Sequence, residues 1–313
     1  IKNTKEENNI HNFLFYKSLL LNRLNKFEES EKIINNEKLE NHFYHNNFFY
    51  LKLLDIRAKN NEKLKNFKIA FNNIEKRNKL LQSLDENKIY NKEVIYETIK
   101  KYKNFYKFEN FNKTPSINQK KNHQIVFLVG FPRSGTTLLD TILRTHSKIS
   151  VLEEKPYLLE SRHEFFKKND NKLDSLLNIS PNQINNIRES YFHKINIKEY
   201  SLDSTIIDKL PLSMIELGFI KTIFPESKII LALRHPCDVV ISCYFSYFKI
   251  NEAMINFLNW NDTINFYNKT FDLFEFYETE LKINYYKIKY EEIVFDFKNQ
   301  VEKILNFLDL KYE

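Results

Sequence analysis

The chain changes its hydrophobic rhythm near residue 112. Before that point apolar positions recur at helical spacing between polar breaks, and residues 1–112 contain neither glycine nor proline, so nothing there stops a succession of helices. From residue 124 the apolar positions gather instead into short runs, Ile125–Val129, Ile149–Leu152, Ile206-Ile207 and Ile229–Leu233. Runs of that length suit strands buried on both faces of a parallel sheet. Further on, Ile288–Val294 alternates like a strand, and Lys298–Leu308 places Val301, Ile304, Leu305 and Leu308 on one helix face. The expected fold is an α/β domain with a parallel sheet, preceded by an all-α domain.

The helical part repeats itself. His11-Asn-Phe-Leu-Phe-Tyr16 returns as His45-Asn-Asn-Phe-Phe-Tyr50, and Leu19-Leu20 as Leu53-Leu54, at an offset of 34 residues. That is the tetratricopeptide period of one helix pair per repeat, with apolar positions that stacked neighbours bury. The second half of each unit matches less well, as Phe27 against Asn61 shows, so two or three degenerate repeats are expected in 1–112. Such an array docks a peptide or protein, pairs two chains, or simply caps the next domain. Asn and Lys dominate its exposed positions, which favours the last over peptide capture. A helix from about Lys92 to Phe108 leads out, 113–123 with Pro115 reads as a linker, and 124–313 forms the second domain.

The end of the first apolar run carries the most specific chemistry. In Gln124–Thr137, QIVFLVGFPRSGTT, the run breaks at a turn framed by Gly130 and Gly135 and becomes a helix. Backbone N–H groups of such a turn, with the unsatisfied amides of the helix start, converge on one spot and hold an anion. The glycines have the spacing of the nucleoside triphosphate loop, but Thr136 stands where that loop has Lys, and the cation here is Arg133. Lys and a metal-binding hydroxyl handle a triphosphate with Mg²⁺, so a loop without that Lys points to a less charged load, such as a 5′-phosphate bearing a sulfonate.

Other candidates stand at the ends of the later runs. Arg234 follows Ile229–Leu233, with Pro236 suited to the first position of a helix, and ligands of open α/β sheets bind beyond such strand ends. Ser242 lies eight residues on, sharing a helix face with Asp238. Glu153 and Glu154 follow the second run, and Lys209, in Asp208-Lys-Leu-Pro211, follows the third. Taken singly, each of these side chains also fits a structural or solvated role.

Together they resemble one family. The sulfotransferases that use 3′-phosphoadenosine 5′-phosphosulfate have a 5′-phosphosulfate loop reading P-R-S-G-T-T, as Pro132–Thr137 do. The chain is most similar to bacterial members with tetratricopeptide-like repeats, which in turn look like tyrosylprotein sulfotransferases. The resemblance spans roughly 122–313. It implies that Arg133, Ser134, Gly135, Thr136 and Thr137 hold the phosphosulfate, and that Arg234 and Ser242 grip the 3′-phosphate. It further implies that Glu154 is the general base, that Lys209 meets the bridging oxygen of the departing phosphate, and that Tyr290, in a Y-E-D-L-V-like strand, approaches the nucleotide. Two departures stand out: Ser246 replaces a residue that is often basic, and the family's C-terminal nucleotide contacts would lie beyond Glu313. With Ile1 in place of an initiating Met, a fragment at both ends is expected.

Composition narrows the alternatives. Of three glycines, Gly130, Gly135 and Gly218, two sit in the loop. The net charge of +7 suits a polyanionic nucleotide, but the lysines are scattered and form no compact nucleic-acid patch. The 18 tyrosines make packing the commoner role for any one of them, Tyr290 included. Cys237 and Cys243 are six apart on one expected helix and cannot bridge each other. No His or Cys spacing suits zinc, Gly-x-Ser-x-Gly is absent, and no apolar run is long enough to span a bilayer. A cytoplasmic, metal-free sulfotransferase acting on a peptide tyrosine, a saccharide or a small alcohol is the leading expectation. A metal-dependent phosphotransferase and an inactive repeat-type binding protein are the alternatives.

Overall fold

The computed structural model describes residues 2–107, 124–201 and 203–313, with side chains from residue 9 onward. The linker expected at 113–123 lies outside the described residues. Two compact units result, Ile1–Val94 with Tyr244–Thr263, and Ile95–Cys243 with Ile264–Glu313.

The first unit opens with helices Lys2–Arg23, Phe27–Ile34, Glu37–Phe43, Asn47–Lys63 and Phe67–Ser83. Two of its turns are alike. Asn25 and Lys65 both take left-handed backbone (φ 59° and 62°), and the following amides, of Lys26 and Asn66, bond back to Leu21 and Asn61 at 2.9 and 2.8 Å. This is the Schellman way of ending a helix. The turns stand 40 residues apart (65 minus 25), whereas the helices that precede them match at 34. Asn47–Lys63 therefore outruns its counterpart by six residues, so Phe27 opens a helix while Asn61, opposite it in the repeat, still lies inside one. Phe15, Ile34, Leu39, Phe43, Leu53 and Ile56 bury the apolar faces together, each worth about 1.5–3 kcal/mol. Arg77, fully buried, pairs with Asp55 and donates to the carbonyl oxygens of Phe245 (3.1 Å), Tyr244 and Ser246 (3.3 Å each). The Ser246 noted above thus contributes its backbone to this contact.

The second unit is built on five parallel strands: β1 (Gln124–Gly130), β2 (Ile149–Glu153), β3 (Thr205–Lys209), β4 (Lys228–Leu233) and β5 (Tyr285–Lys289), in the order β2-β3-β1-β4-β5. Side chains alternate between its faces. On one face Val126, Leu128, Ile207, Ile230, Ala232 and Ile288 pack under helices Thr136–Leu143 and Phe297–Phe307, which contribute Leu139, Leu143, Val301, Ile304 and Leu305. On the other, the Phe127 ring meets Phe224 at 5.9 Å, and Tyr191 of helix Pro181–Lys194 donates to Asp208 at 3.0 Å. The parity of β3 therefore sends Asp208 to the second face and Lys209 to the first. Chain leaves β1 toward β2 and leaves its neighbour β4 toward β5, so the connections diverge at the strands' C-terminal ends, the place where open α/β sheets bind ligands.

The strand expected over 288–294 is corrected by the structure: β5 ends at Lys289, and Tyr290–Phe295 is a helix. Glu291 and Glu292 fall in its first turn, where the helix dipole favours them, and Ile288 and Ile293 reach the same core cluster from either side of the junction.

Burial pushes the Asp208 carboxyl up to about 7, against the opposing hydrogen bond from Tyr191. A carboxyl raised in the folded chain stays protonated there while the unfolded chain ionises. Its contribution is thus largest below the ordinary carboxylate range and is lost as pH rises toward 7. Urea unfolding should show a fall of roughly 3 kcal/mol from this group between pH 5 and pH 8, absent in Asp208→Asn. Identical pH dependence in the two proteins would contradict it.

Candidate active site

The loop after β1 is shaped by two glycines with different duties. A Cβ on Gly130 would lie 2.6 Å from the Ala232 carbonyl oxygen and 2.7 Å from Ser134 Oγ, so only glycine lets β4 and the returning loop close over the strand end. Gly135 has φ +93°, and a Cβ there would strike Tyr290 Cδ2 at 2.7 Å. Arg133 is also left-handed (φ 70°), an uncommon state for a residue with a side chain. Two consecutive residues of helix Pro236–Phe245 hold this loop. Arg133 Nε donates to Ser242 Oγ at 2.9 Å, and the Cys243 thiol donates to the Pro132 carbonyl at 3.2 Å. Burial pushes the Cys243 thiol up, keeping it a neutral donor. Ser134 is buried, and its Oγ has no hydrogen-bond partner among the described residues. Thr136 is buried in the first turn of the helix and Thr137 is exposed beside it.

A second group gathers at the ends of β2 and β3, where Glu153 and Lys209 are register partners. Lys209 Nζ, fully buried, donates to Glu154 Oε1 at 2.9 Å and lies 3.5 Å from Asp140 Oδ2 and 3.6 Å from Glu153 Oε1. Glu154 turns out of β2 with φ 49°, its amide bonded to the Lys209 carbonyl at 2.9 Å, so backbone and side chain tie the same two residues. Arg144 donates to Asp140 Oδ1 and, at 3.2 Å, to Glu153 Oε2. The Arg144 hydrogen bond, with the charge of Lys209, holds the Glu153 carboxyl below its usual range.

The third group lies past β4. The Arg234 guanidinium stands over the Tyr290 ring at 4.8 Å and reaches Asp238 Oδ2 at 3.5 Å; its Nε is buried without a hydrogen-bond partner among the described residues. Glu291 accepts the His235 amide at 2.9 Å, capping the start of helix Pro236–Phe245 from another element. Tyr290 is thus wedged between the loop backbone at Gly135 and Arg234.

A model of the sulfotransferase family matches residues 125–313. The chain belongs to the sulfotransferase family. Its relatives include protein-tyrosine sulfotransferase A of Caenorhabditis elegans, 26% identical over 198 residues that cover 60% of this chain and 50% of that one. An uncharacterized protein of Aquifex aeolicus is 25% identical over 60% of this chain and 26% of its own length. Nodulation protein NoeE of Sinorhizobium fredii is 33% identical over 38% of this chain and 30% of its own. The chain thus spans between about a quarter and a half of the length of these relatives. Among solved structures, the sulfotransferase domain of the Synechococcus PCC 7002 olefin synthase matches with a TM-score of 0.41 at 21% identity, covering 64% of this chain and 77% of that one.

In this sulfotransferase-family domain the structure brings Glu154 to Lys209, Arg133 to Ser242, and Tyr290 to Gly135 and Arg234. The sequence reading assigned Arg133 and Ser242 to opposite ends of a ligand, yet they bond each other. It passed over Asp140, Arg144 and Glu291. A signal for Asp140 existed: Thr136, Leu139 and Leu143 form the buried stripe of the loop helix, and Asp140 falls on that stripe. Among the described residues no group of three His, Cys, Asp or Glu is arranged to hold a metal, and no helix is long and apolar enough to cross a membrane.

Gly135→Ala should lower stability by about 1–2 kcal/mol in urea unfolding, from the left-handed backbone and the collision with Tyr290. Adding Tyr290→Leu should return the collision part and leave the backbone part. A Gly135→Ala protein as stable as wild type would contradict this account of the loop.

Proposed function

We propose that the protein moves a sulfonate group from 3′-phosphoadenosine 5′-phosphosulfate to an acceptor hydroxyl by direct in-line transfer. The observation that carries this reading is the buried Lys209 bonded to Glu154 at the strand ends beside the Gly130–Thr137 loop. One cation and one carboxylate side by side suit a reaction in which a proton leaves one oxygen while charge grows on another. The loop fits the donor's 5′ end through a buried Ser134 hydroxyl that has no hydrogen-bond partner among the described residues. Arg234, whose Nε has no hydrogen-bond partner among the described residues, and Ser242 suit the 3′-phosphate, with Tyr290 shaping the space between.

In the proposed reaction the acceptor oxygen forms a bond to sulfur as Glu154 takes its proton. The bond from sulfur to the bridging oxygen breaks, its electron pair stays on the departing phosphate, and Lys209 stabilises that charge. The products are a sulfated acceptor and 3′-phosphoadenosine 5′-phosphate. The group transferred is near-neutral, and Thr136, in place of the triphosphate loop's Lys, speaks against ATP. For the acceptor, relatives named protein-tyrosine sulfotransferases put a peptide tyrosine first, with saccharides and small alcohols as the other hydroxyl classes. The helical repeats would serve a peptide acceptor as a docking surface or act as a cap alone.

Calorimetry without metal should show binding of 3′-phosphoadenosine 5′-phosphate, weakened at least tenfold in Arg234→Ala by loss of a charge-assisted phosphate contact. Preference for ATP with Mg²⁺ would reject the reading in favour of phosphoryl transfer. With a working acceptor, Glu154→Gln should lower kcat by about 10²–10⁴ while nucleotide binding stays within twofold.

A further inference from the structure

The charges around Lys209 close into a ring. Lys209 lies 3.5 Å from Asp140, Asp140 accepts from Arg144 at 2.7 Å, Arg144 donates to Glu153 at 3.2 Å, and Glu153 lies 3.6 Å from Lys209. Glu154 hangs outside, attached through its own bond to Lys209. The three carboxylates are not equivalent. Glu153 and Glu154 are 51% and 56% exposed, so water screens them, whereas Asp140 is 0% exposed and acts on the ammonium at low dielectric. Asp140 is also the best fixed: Arg144 takes its Oδ1, its neighbours Leu139 and Leu143 are locked in the sheet core, and Oδ2, with no hydrogen bond among the described residues, faces Lys209.

We propose that Asp140 is the positioning residue for Lys209. A lysine ammonium carries three N–H donors on a flexible stem, so something must choose where it sits. Here only Glu154 takes a short hydrogen bond; Asp140 holds the group by charge at a longer distance. The ammonium stays at the end of β3 with donors to spare for an oxygen of the leaving phosphate. This inference rests on the role given to Lys209 in the sulfonate-transfer reading, and extends it to a buried carboxylate on the loop helix.

Two nucleotides that share the 3′-phosphate separate the 5′ end from the rest: 3′-phosphoadenosine 5′-phosphate, and adenosine 3′-monophosphate, which lacks the 5′-phosphate. By calorimetry Lys209→Met and Asp140→Asn should each weaken the bisphosphate about tenfold. The double variant should lose little more than either, and the monophosphate should bind all of them alike. A merely structural role would weaken both ligands together. Arg144→Gln, at a side chain 41% exposed, should show the same pattern with a smaller loss, and decides the matter if Asp140→Asn fails to fold. Wild-type affinity for the bisphosphate in the folded variants, or losses that simply add in the double variant, would overturn the role of Asp140. Failure of the wild-type protein to bind the bisphosphate would instead overturn the donor reading, and with it this inference.

Discussion

A fully buried ammonium among three carboxylates is the constraint on which the site depends. Lys209 cannot stay charged in the interior without partners, since an isolated buried ion costs several kcal/mol. The partners come from two parts of the chain: Asp140 on the loop helix, and Glu153 and Glu154 at the end of β2 and just past it. Meeting the needs of one side chain thus fixes the mutual positions of the loop helix and two neighbouring strands. It also explains the left-handed Glu154, because that turn returns both its amide and its carboxylate to Lys209.

The loop is governed by a separate constraint, close backbone approach. Gly130 and Gly135 admit the Ala232 carbonyl and the Tyr290 ring at distances no Cβ allows. Consecutive residues of one helix, Ser242 and Cys243, then bind Arg133 and Pro132. The loop is therefore held before any ligand arrives, and an anion binding there meets groups already ordered, which lowers the entropy lost on binding.

Much of this was legible from residue type and spacing. The four apolar runs became β1 to β4, and Val301, Ile304, Leu305 and Leu308 are buried as their periodicity implies. What escaped is local competition and tertiary pairing. The stretch after Ile288 alternates on paper, but two glutamates favour a helix start, and the strand stops at Lys289. The 34-residue repeat was visible in the first helices and blurred afterwards because helix Asn47–Lys63 ends six positions later in the repeat register than helix Lys2–Arg23 does. Asp140 announced itself only as a charge on an apolar stripe, and its meaning depended on Lys209, 69 residues away (209 minus 140), arriving opposite it. Spacing along the chain carries no such information. The bond between Arg133 and Ser242 is of the same kind.

The most direct measurement of the central claim is a crystal structure of the protein with 3′-phosphoadenosine 5′-phosphate bound. The account predicts the 5′-phosphate in the Gly130–Thr137 loop with Lys209 Nζ within hydrogen-bond distance of one of its oxygens, Asp140 still facing the ammonium, and Arg234 and Ser242 at the 3′-phosphate. A nucleotide bound elsewhere, or one in the loop with Lys209 turned wholly to its carboxylates, would contradict it.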